Sequence, residues 1–309
     1  MEIEMSFDSV LSRDERATFT LRKLYADYGY TRYKMNKFEE YDLYVRNKDF
    51  LISDSIITFT DTDGKLLALK PDVTLSIIKN SATCTGVNKL FYNENVYRVS
   101  RGTGAFREIM QTGLECIGEV GKDEIREVLT LAAKSLAAIS ESYVLEISSL
   151  DVVRSVLSHF GISKSGAKAI NEYLGKKNTD GIKVVCESEG LSSSAAAKIE
   201  LLASVYGRAD RVLPRLDELK LDAETTAAID SLAEIVSGID CGVSIDFSVT
   251  GGSNYYNGVS FCGFIEGVPT SILRGGQYDA LVERISGKRA GAVGFAVYLD
   301  ELERLGKDM

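Results

Sequence analysis

Apolar residues fall at helical spacing soon after the start of the chain. After Ser12-Arg13-Asp14-Glu15, the residues Leu21, Leu24, Tyr25 and Tyr28 recur on one face. Ser12 is placed to cap this helix, acids occupy its first turn, and Gly29 ends it. A strand through Tyr30 to Lys34 follows, then a short aromatic stretch from Phe38 to Tyr44. Ile56 to Thr60 and Leu66 to Lys70 read as two strands around Asp61-Thr62-Asp63-Gly64-Lys65, where glycine supplies the positive φ of a hairpin turn. Pro71 closes the second strand, and Asp72 caps a helix over Val73 to Asn80. Lys89 to Ser100 and Glu108 to Ile117 form a long predicted hairpin around Arg101-Gly102-Thr103-Gly104. An amphipathic helix over Lys122 to Ser140 and a strand over Tyr143 to Ile147 complete this half.

The pattern changes between about Val152 and Val236. Strands give way to short helical runs rich in Ala, Ser, Lys and Glu. Strand character returns at Val243 to Phe247, Tyr255 to Phe264 and Thr270 to Leu273, and a last helix is expected over Val293 to Arg304. Strands, helical block, then strands, joined by hairpins, predict an α+β fold whose antiparallel sheet is flanked by helices. The expected division is a core from residues 1–150 and 240–309, with 151–239 as a helical insertion subdomain.

Composition narrows the function classes. The 309 residues carry 36 Lys+Arg against 45 Asp+Glu, a net charge of −9, which argues against a wide basic face for nucleic acid. The one histidine, His159, leaves no His-based metal site or Ser-His-Asp triad unless it serves itself. It sits where a helix should end before Gly161 and carries little functional weight. Cys84, Cys116, Cys186, Cys241 and Cys262 are odd in number and widely spaced, which fits buried thiols in a reducing compartment. The first residues lack an apolar signal core, and no window approaches 18 uninterrupted apolar residues. The expectation is a cytoplasmic protein with no metal and no cofactor.

Three constellations could carry chemistry. Glycines cluster at Gly251-Gly252-Ser253-Asn254-Tyr255-Tyr256 and at Arg274-Gly275-Gly276-Gln277-Tyr278-Asp279. Neither fits a phosphate-loop or dinucleotide pattern, so they are either turns or backbone placed against a small ligand. Gln111, Gly113 and Glu115 alternate and so share one strand face, and Asp72, like Gln111 and Glu115, sits next to a predicted strand or turn. That face is either solvated or the lining of a pocket, where carboxylates and an amide oxygen would accept from a ligand ammonium. Arg98, Arg101 and Arg107 surround the hairpin turn as a solubilising surface or as a clamp for a carboxylate or phosphate.

Several segments together resemble histidyl-tRNA synthetase and its paralogue, the regulatory subunit of ATP phosphoribosyltransferase. Leu69-Lys70-Pro71-Asp72-Val73-Thr74 resembles the L-R-P-E/D-x-T element. Lys89 through Arg98, then Arg107-Glu108 and Gln111 to Gly118, resemble motif 2 of class II synthetases. Gly275-Gly276-Gln277-Tyr278-Asp279-Ala280-Leu281-Val282 resembles the second histidine motif, and Ala292-Val293-Gly294-Phe295-Ala296 the start of motif 3. The resemblance implies a class II aminoacyl-tRNA synthetase-like core and a histidine pocket. Its residues would be Asp72, Thr74, Arg98, Gln111, Glu115, Tyr255, Tyr256, Gly275 and Gly276.

The departures fall on the ATP side. Gly251 stands where the R-G-L-D-Y-Y motif has its catalytic Arg, and Glu301 and Tyr298 stand where motif 3 has Arg and Gly. A carboxylate would repel a triphosphate and a tyrosine would fill space beside it. Gln277 replaces a more usual Arg, and the motif 1 proline is lost near Asn36. The chain reaches Met309 soon after motif 3, so no anticodon-binding domain is expected. The resemblance with these departures implies no catalytic residues, and a regulatory subunit for the first step of histidine biosynthesis and its feedback by histidine. Its expected partners are the short-form ATP phosphoribosyltransferase catalytic subunit, histidine as ligand, and a second copy of itself within a hetero-oligomer, without membrane or tRNA. The alternative is a truncated histidyl-tRNA synthetase or a histidine-activating ligase.

Overall fold

The computed structural model describes residues 10–47, 56–81, 86–100, 103–239, 243–250 and 255–304. Helix α1 spans Arg13–Asp27, and its first turn closes as the sequence predicts: the Ser12 N–H donates to Glu15 Oε2 at 2.9 Å. Gly29, at φ +82°, ends that segment. Then come β1 (Thr31–Arg32), β2 (Phe38–Glu40), α2 (Tyr41–Val45), β3 (Thr58–Thr60), β4 (Leu66–Leu69) and α3 (Thr74–Ser81). The long hairpin is β5 (Val87–Val99) and β6 (Phe106–Gly118), followed by α4 (Lys122–Ile139) and β7 (Tyr143–Ser149). The helical block holds α5 (Leu150–His159), α6 (Lys164–Leu174), α7 (Thr179–Ser188), α8 (Ser193–Ser204), β8 (Tyr206–Arg208), α9 (Ala209–Leu216) and α10 (Ala223–Val236). The chain returns through β9 (Val243–Asp246), β10 (Val259–Ile265), β11 (Leu273–Gln277), α11 (Asp279–Ser286) and β12 (Gly291–Tyr298), then a 3₁₀ turn, Leu299–Arg304.

Among the described residues, nine strands form one sheet in the order β1-β5-β6-β12-β11-β10-β7-β9-β8, and β2-β4-β3 form a small second sheet. The middle of the large sheet is antiparallel as expected, whereas β1 on β5 and β7 on β9 pair parallel, so the sheet is mixed. One face is covered by α1 and α4. Leu129, Leu131 and Leu136 of α4 are fully buried there, each contributing roughly 1.5–3 kcal/mol by removal from water. Val152 of α5, Ile199 of α8 and Leu232 of α10 join the same continuous core as Ile147 and Phe247. A second core on the opposite face gathers Val73, Leu75 and Ile78 against Tyr92, Tyr278, Leu281 and Val282.

Three expectations change. Val293 to Tyr298 is not helix but part of central strand β12, hydrogen-bonded to β6 and β11 on its two edges. Its apolar run is buried on both faces, and such a run carries no period-2 signature to separate strand from helix. The second glycine cluster is not a turn: Gly275 and Gly276 lie inside β11, and neither has positive φ. The block from 152 to 236 is not free of strands, because β8 pairs with β9 at the sheet edge.

Candidate functional site

The second face of the sheet holds a cleft of about 400 Å³, open mouth included, small for a ligand site. Register places its parts. Glu115, Gly294 and Gly276 lie in one cross-strand row, and Gly113, Ala296 and Arg274 in the next. Tyr298 faces Gln111 across the third pairing. Glycine and alanine thus make a low floor while longer side chains make walls. A Cβ on Gly294 would strike Glu115 Oε2 and sit 2.5 Å from Leu114 O, so the glycine is what admits the carboxylate. A Cβ on Gly113 would meet Tyr92 OH at 2.6 Å.

The roof is the β4–α3 connection. Pro71 turns the chain, and Asp72 Oδ1 accepts from the Leu75 N–H at 3.1 Å, capping α3. Thr74 Oγ donates to Glu115 Oε1 at 2.7 Å, and Tyr278 OH donates to Oε2 at 2.5 Å. Asp72 and Glu115 are 7% and 2% exposed, and among the described residues neither forms an ion pair. Burial lifts the Glu115 carboxyl to about 8, with the two hydroxyl hydrogen bonds holding it down and Asp72 raising it further. Burial also raises Asp72, against the opposing pull of the Arg98 guanidinium and the α3 amides. Tyr92, Tyr255, Tyr256 and Tyr278 are raised well above the ordinary phenol value by burial, so their hydroxyls stay protonated. The Gln111 amide nitrogen is buried without a hydrogen-bond partner. Two buried acids with only the Arg98 guanidinium near Asp72 make a site prepared for a ligand cation, and the unpaired Gln111 N–H group is a donor left for an acceptor on the same ligand.

Of the expected site residues, Asp72, Thr74, Arg98, Gln111, Glu115, Tyr255 and Tyr256 line this one cleft. The solvated-face alternative for Gln111 and Glu115 is excluded, since both are buried. Gly275 and Gly276 do not line it. They let β11 pack: a Cβ on Gly276 would meet Tyr256 Cδ1 at 2.5 Å, and one on Gly275 would meet the Phe261 ring. Arg98 and Arg107, the two described arginines of the expected clamp, do not converge. Arg98 Nε donates to Pro71 O at 2.9 Å beside Asp72, whereas Arg107 pairs with Asp300 at 3.0 Å. Arg101 lies outside the described residues, as do Gly251 to Asn254, Cys84, Cys241 and both chain ends. Glu301 accepts from Thr270 Oγ at 2.8 Å, and Gln277 donates to Asp279 at 2.6 Å. His159 bonds Asp222 at 2.6 Å at the meeting of α5 and α10, away from the cleft lining.

Three wall residues, Tyr92, Arg274 and Tyr278, were not among the expected site residues, and Tyr298, read from the sequence as filling space on the nucleotide side, also stands in the wall. Arg274 could have been found, because it sits two residues before Gly276 and so shares its face once β11 is recognised as a strand. Among the described residues no cluster of His, Cys, Asp or Glu could hold a metal ion. No described helix is long and apolar enough to cross a membrane.

Comparison with known proteins gives one consistent set of likenesses. The profile of the histidyl-tRNA synthetase family matches residues 8–302. An ATP phosphoribosyltransferase regulatory subunit of Ruminiclostridium cellulolyticum is 26% identical over 293 residues, 91% of this chain and 70% of that protein. A histidine–tRNA ligase of Methanococcus maripaludis is 28% identical over 293 residues, again 91% of this chain and 70% of that one. The fold matches a Bacillus halodurans structure described as an ATP phosphoribosyltransferase regulatory subunit/histidyl-tRNA synthetase. That match has a TM-score of 0.85 at 23% identity and covers 99% of this chain and 82% of that chain.

Proposed function

Since the chain belongs to the histidyl-tRNA synthetase family, we propose that it is a non-catalytic regulatory subunit of an ATP phosphoribosyltransferase and binds histidine in the cleft described above. The observation that carries the histidine reading is the pair of buried acids, Asp72 and Glu115, lining one cleft in which only Arg98 offers Asp72 a counter-charge. An ammonium donates three N–H bonds, and carboxylates and an amide oxygen accept them. A ligand cation would thereby cancel the cost of burying both acids. The reading as a regulatory subunit draws on the named relatives and on Tyr298 in the cleft wall, at the position where the motif 3 resemblance implies glycine. Its partner would be a short catalytic subunit, in a cytoplasmic hetero-oligomer that also pairs this chain with a second copy. Histidine can regulate such an assembly only by binding its active and inactive arrangements with different affinity.

Calorimetry with L-histidine tests the pocket. Saturable binding that weakens in Asp72→Ala and in Glu115→Ala is expected, and no heat at millimolar ligand would remove the assignment. The likeness to a histidine–tRNA ligase favours a second reading, a histidine-activating ligase. Histidine-dependent ATP–pyrophosphate exchange by the purified chain would establish it in place of the first.

A further inference from the structure

One charged wall of the cleft remains without a task. Arg274 stands on β11, on the far side of the floor from Glu115 on β6, with β12 between them. It is offset by one side-chain pair along the strands, since Gly276 rather than Arg274 lies in the row of Glu115. At about 4.8 Å per strand and about 3.4 Å per residue, their Cα atoms are roughly 12 Å apart. Arg274 shares its row with Ala296 and Gly113, and the adjacent Glu115 row carries Gly294 on the strand between, so no floor side chain larger than alanine screens the guanidinium from the cleft. Its Nε donates to Ser271 Oγ at 2.7 Å, which fixes the plane of the group. No carboxylate among the described residues pairs with it, so the two Nη groups are left to bond a ligand. Arg98 is placed differently. Its Nε is taken by Pro71 O, and its charge lies beside Asp72, where it holds that carboxyl down.

We propose that Arg274 is the carboxylate-binding residue of the cleft, so that the site takes zwitterionic α-amino acids and discriminates against their decarboxylated amines. The two cleft arginines then divide the work. Arg98 stabilises the ionised form of Asp72, and Arg274 receives the ligand's anionic end through two parallel N–H bonds, the geometry in which guanidinium meets carboxylate best. The arrangement places negative and positive protein charge on opposite walls, and only a ligand carrying both charges satisfies both. This inference rests on the histidine reading above and adds the group that selects the free amino acid.

Calorimetry with two ligands separates the possibilities: L-histidine, and histamine, which keeps the amine and the imidazole and lacks the carboxylate. Wild type should bind L-histidine more tightly than histamine. Arg274→Ala should weaken L-histidine roughly ten- to hundredfold and leave histamine within twofold, as expected for one charged hydrogen-bonded contact. Arg274→Lys should recover part of the loss. Urea midpoints of both variants should match wild type, since Arg274 is exposed and fills no core. Equal weakening of both ligands, or none of either, overturns the assignment while leaving histidine binding in place. Failure of wild type to bind L-histidine removes the underlying reading and the assignment with it.

Discussion

Glu115→Gln removes a charge and keeps the side chain's shape. In the ligand-free protein the Glu115 carboxyl is raised from 4.5 to about 8 by burial. A carboxyl raised on folding contributes its full stability below its unfolded value and loses it as pH rises through its folded value. Between pH 4.5 and 8 the unfolded chain is ionised at this residue while the folded chain holds the proton. The gap, 8 minus 4.5, multiplied by 1.36 kcal/mol per unit, sets a penalty of about 5 kcal/mol above pH 8. Glutamine escapes that penalty. Its carbonyl can accept from only one of the Thr74 and Tyr278 hydroxyls, which costs about 1–3 kcal/mol. The variant should therefore be more stable than wild type by about 2–4 kcal/mol at pH 8.5, measured by urea denaturation without ligand. At pH 4.5 the advantage should vanish or reverse. Saturating histidine should raise wild-type stability by more than it raises the variant's, because stabilisation by a ligand grows with its affinity for the folded state. A variant no more stable than wild type at pH 8.5 without histidine would refute the picture of an uncompensated buried carboxylate.

Histidine affinity should rise with pH between 6 and 8 by up to tenfold per unit, because an incoming ammonium must expel the Glu115 proton; calorimetry should show that the Glu115 share of this slope disappears in Glu115→Gln. Gly294→Ala should abolish detectable histidine binding and destabilise the fold by about 1–3 kcal/mol in urea, since the new methyl group meets Glu115 and the Leu114 carbonyl. Lys70 is 1% exposed and pairs with Glu94 at 2.5 Å, so Lys70→Met should cost about 3–5 kcal/mol by stranding the carboxylate, as urea denaturation would show.

Much of this organisation is legible in the chain. The α1 start reads directly, because Ser12 and Glu15 stand at capping spacing and the acid is found on the Ser12 amide. The Asp61 to Lys65 turn reads from Gly64, which takes φ +81°. Alternation alone put Gln111 and Glu115 on one face, and burial of both decided between solvent and pocket. What escaped has a shared cause: pairing partners remote in sequence. β12 is fixed as strand by β6, some 180 residues earlier, and its own residues fit a buried helix as well. Gly275 and Gly276 resemble a turn until Phe261 and Tyr256 are seen packed where side chains would be. The short β8 exists only because β9 offers it an edge. Arg274 gains meaning only once β11, β12 and β6 are laid side by side.

A regulatory subunit of the proposed kind switches on a catalytic partner and reads histidine. Mixing it with a purified short-form ATP phosphoribosyltransferase catalytic subunit and measuring phosphoribosyl transfer, with and without L-histidine, tests that directly. Activity should depend on this chain, fall as histidine is added, and resist histidine when Glu115→Gln or Arg274→Ala is used instead. A catalytic subunit equally active without the chain, or one the chain never activates, would contradict that role.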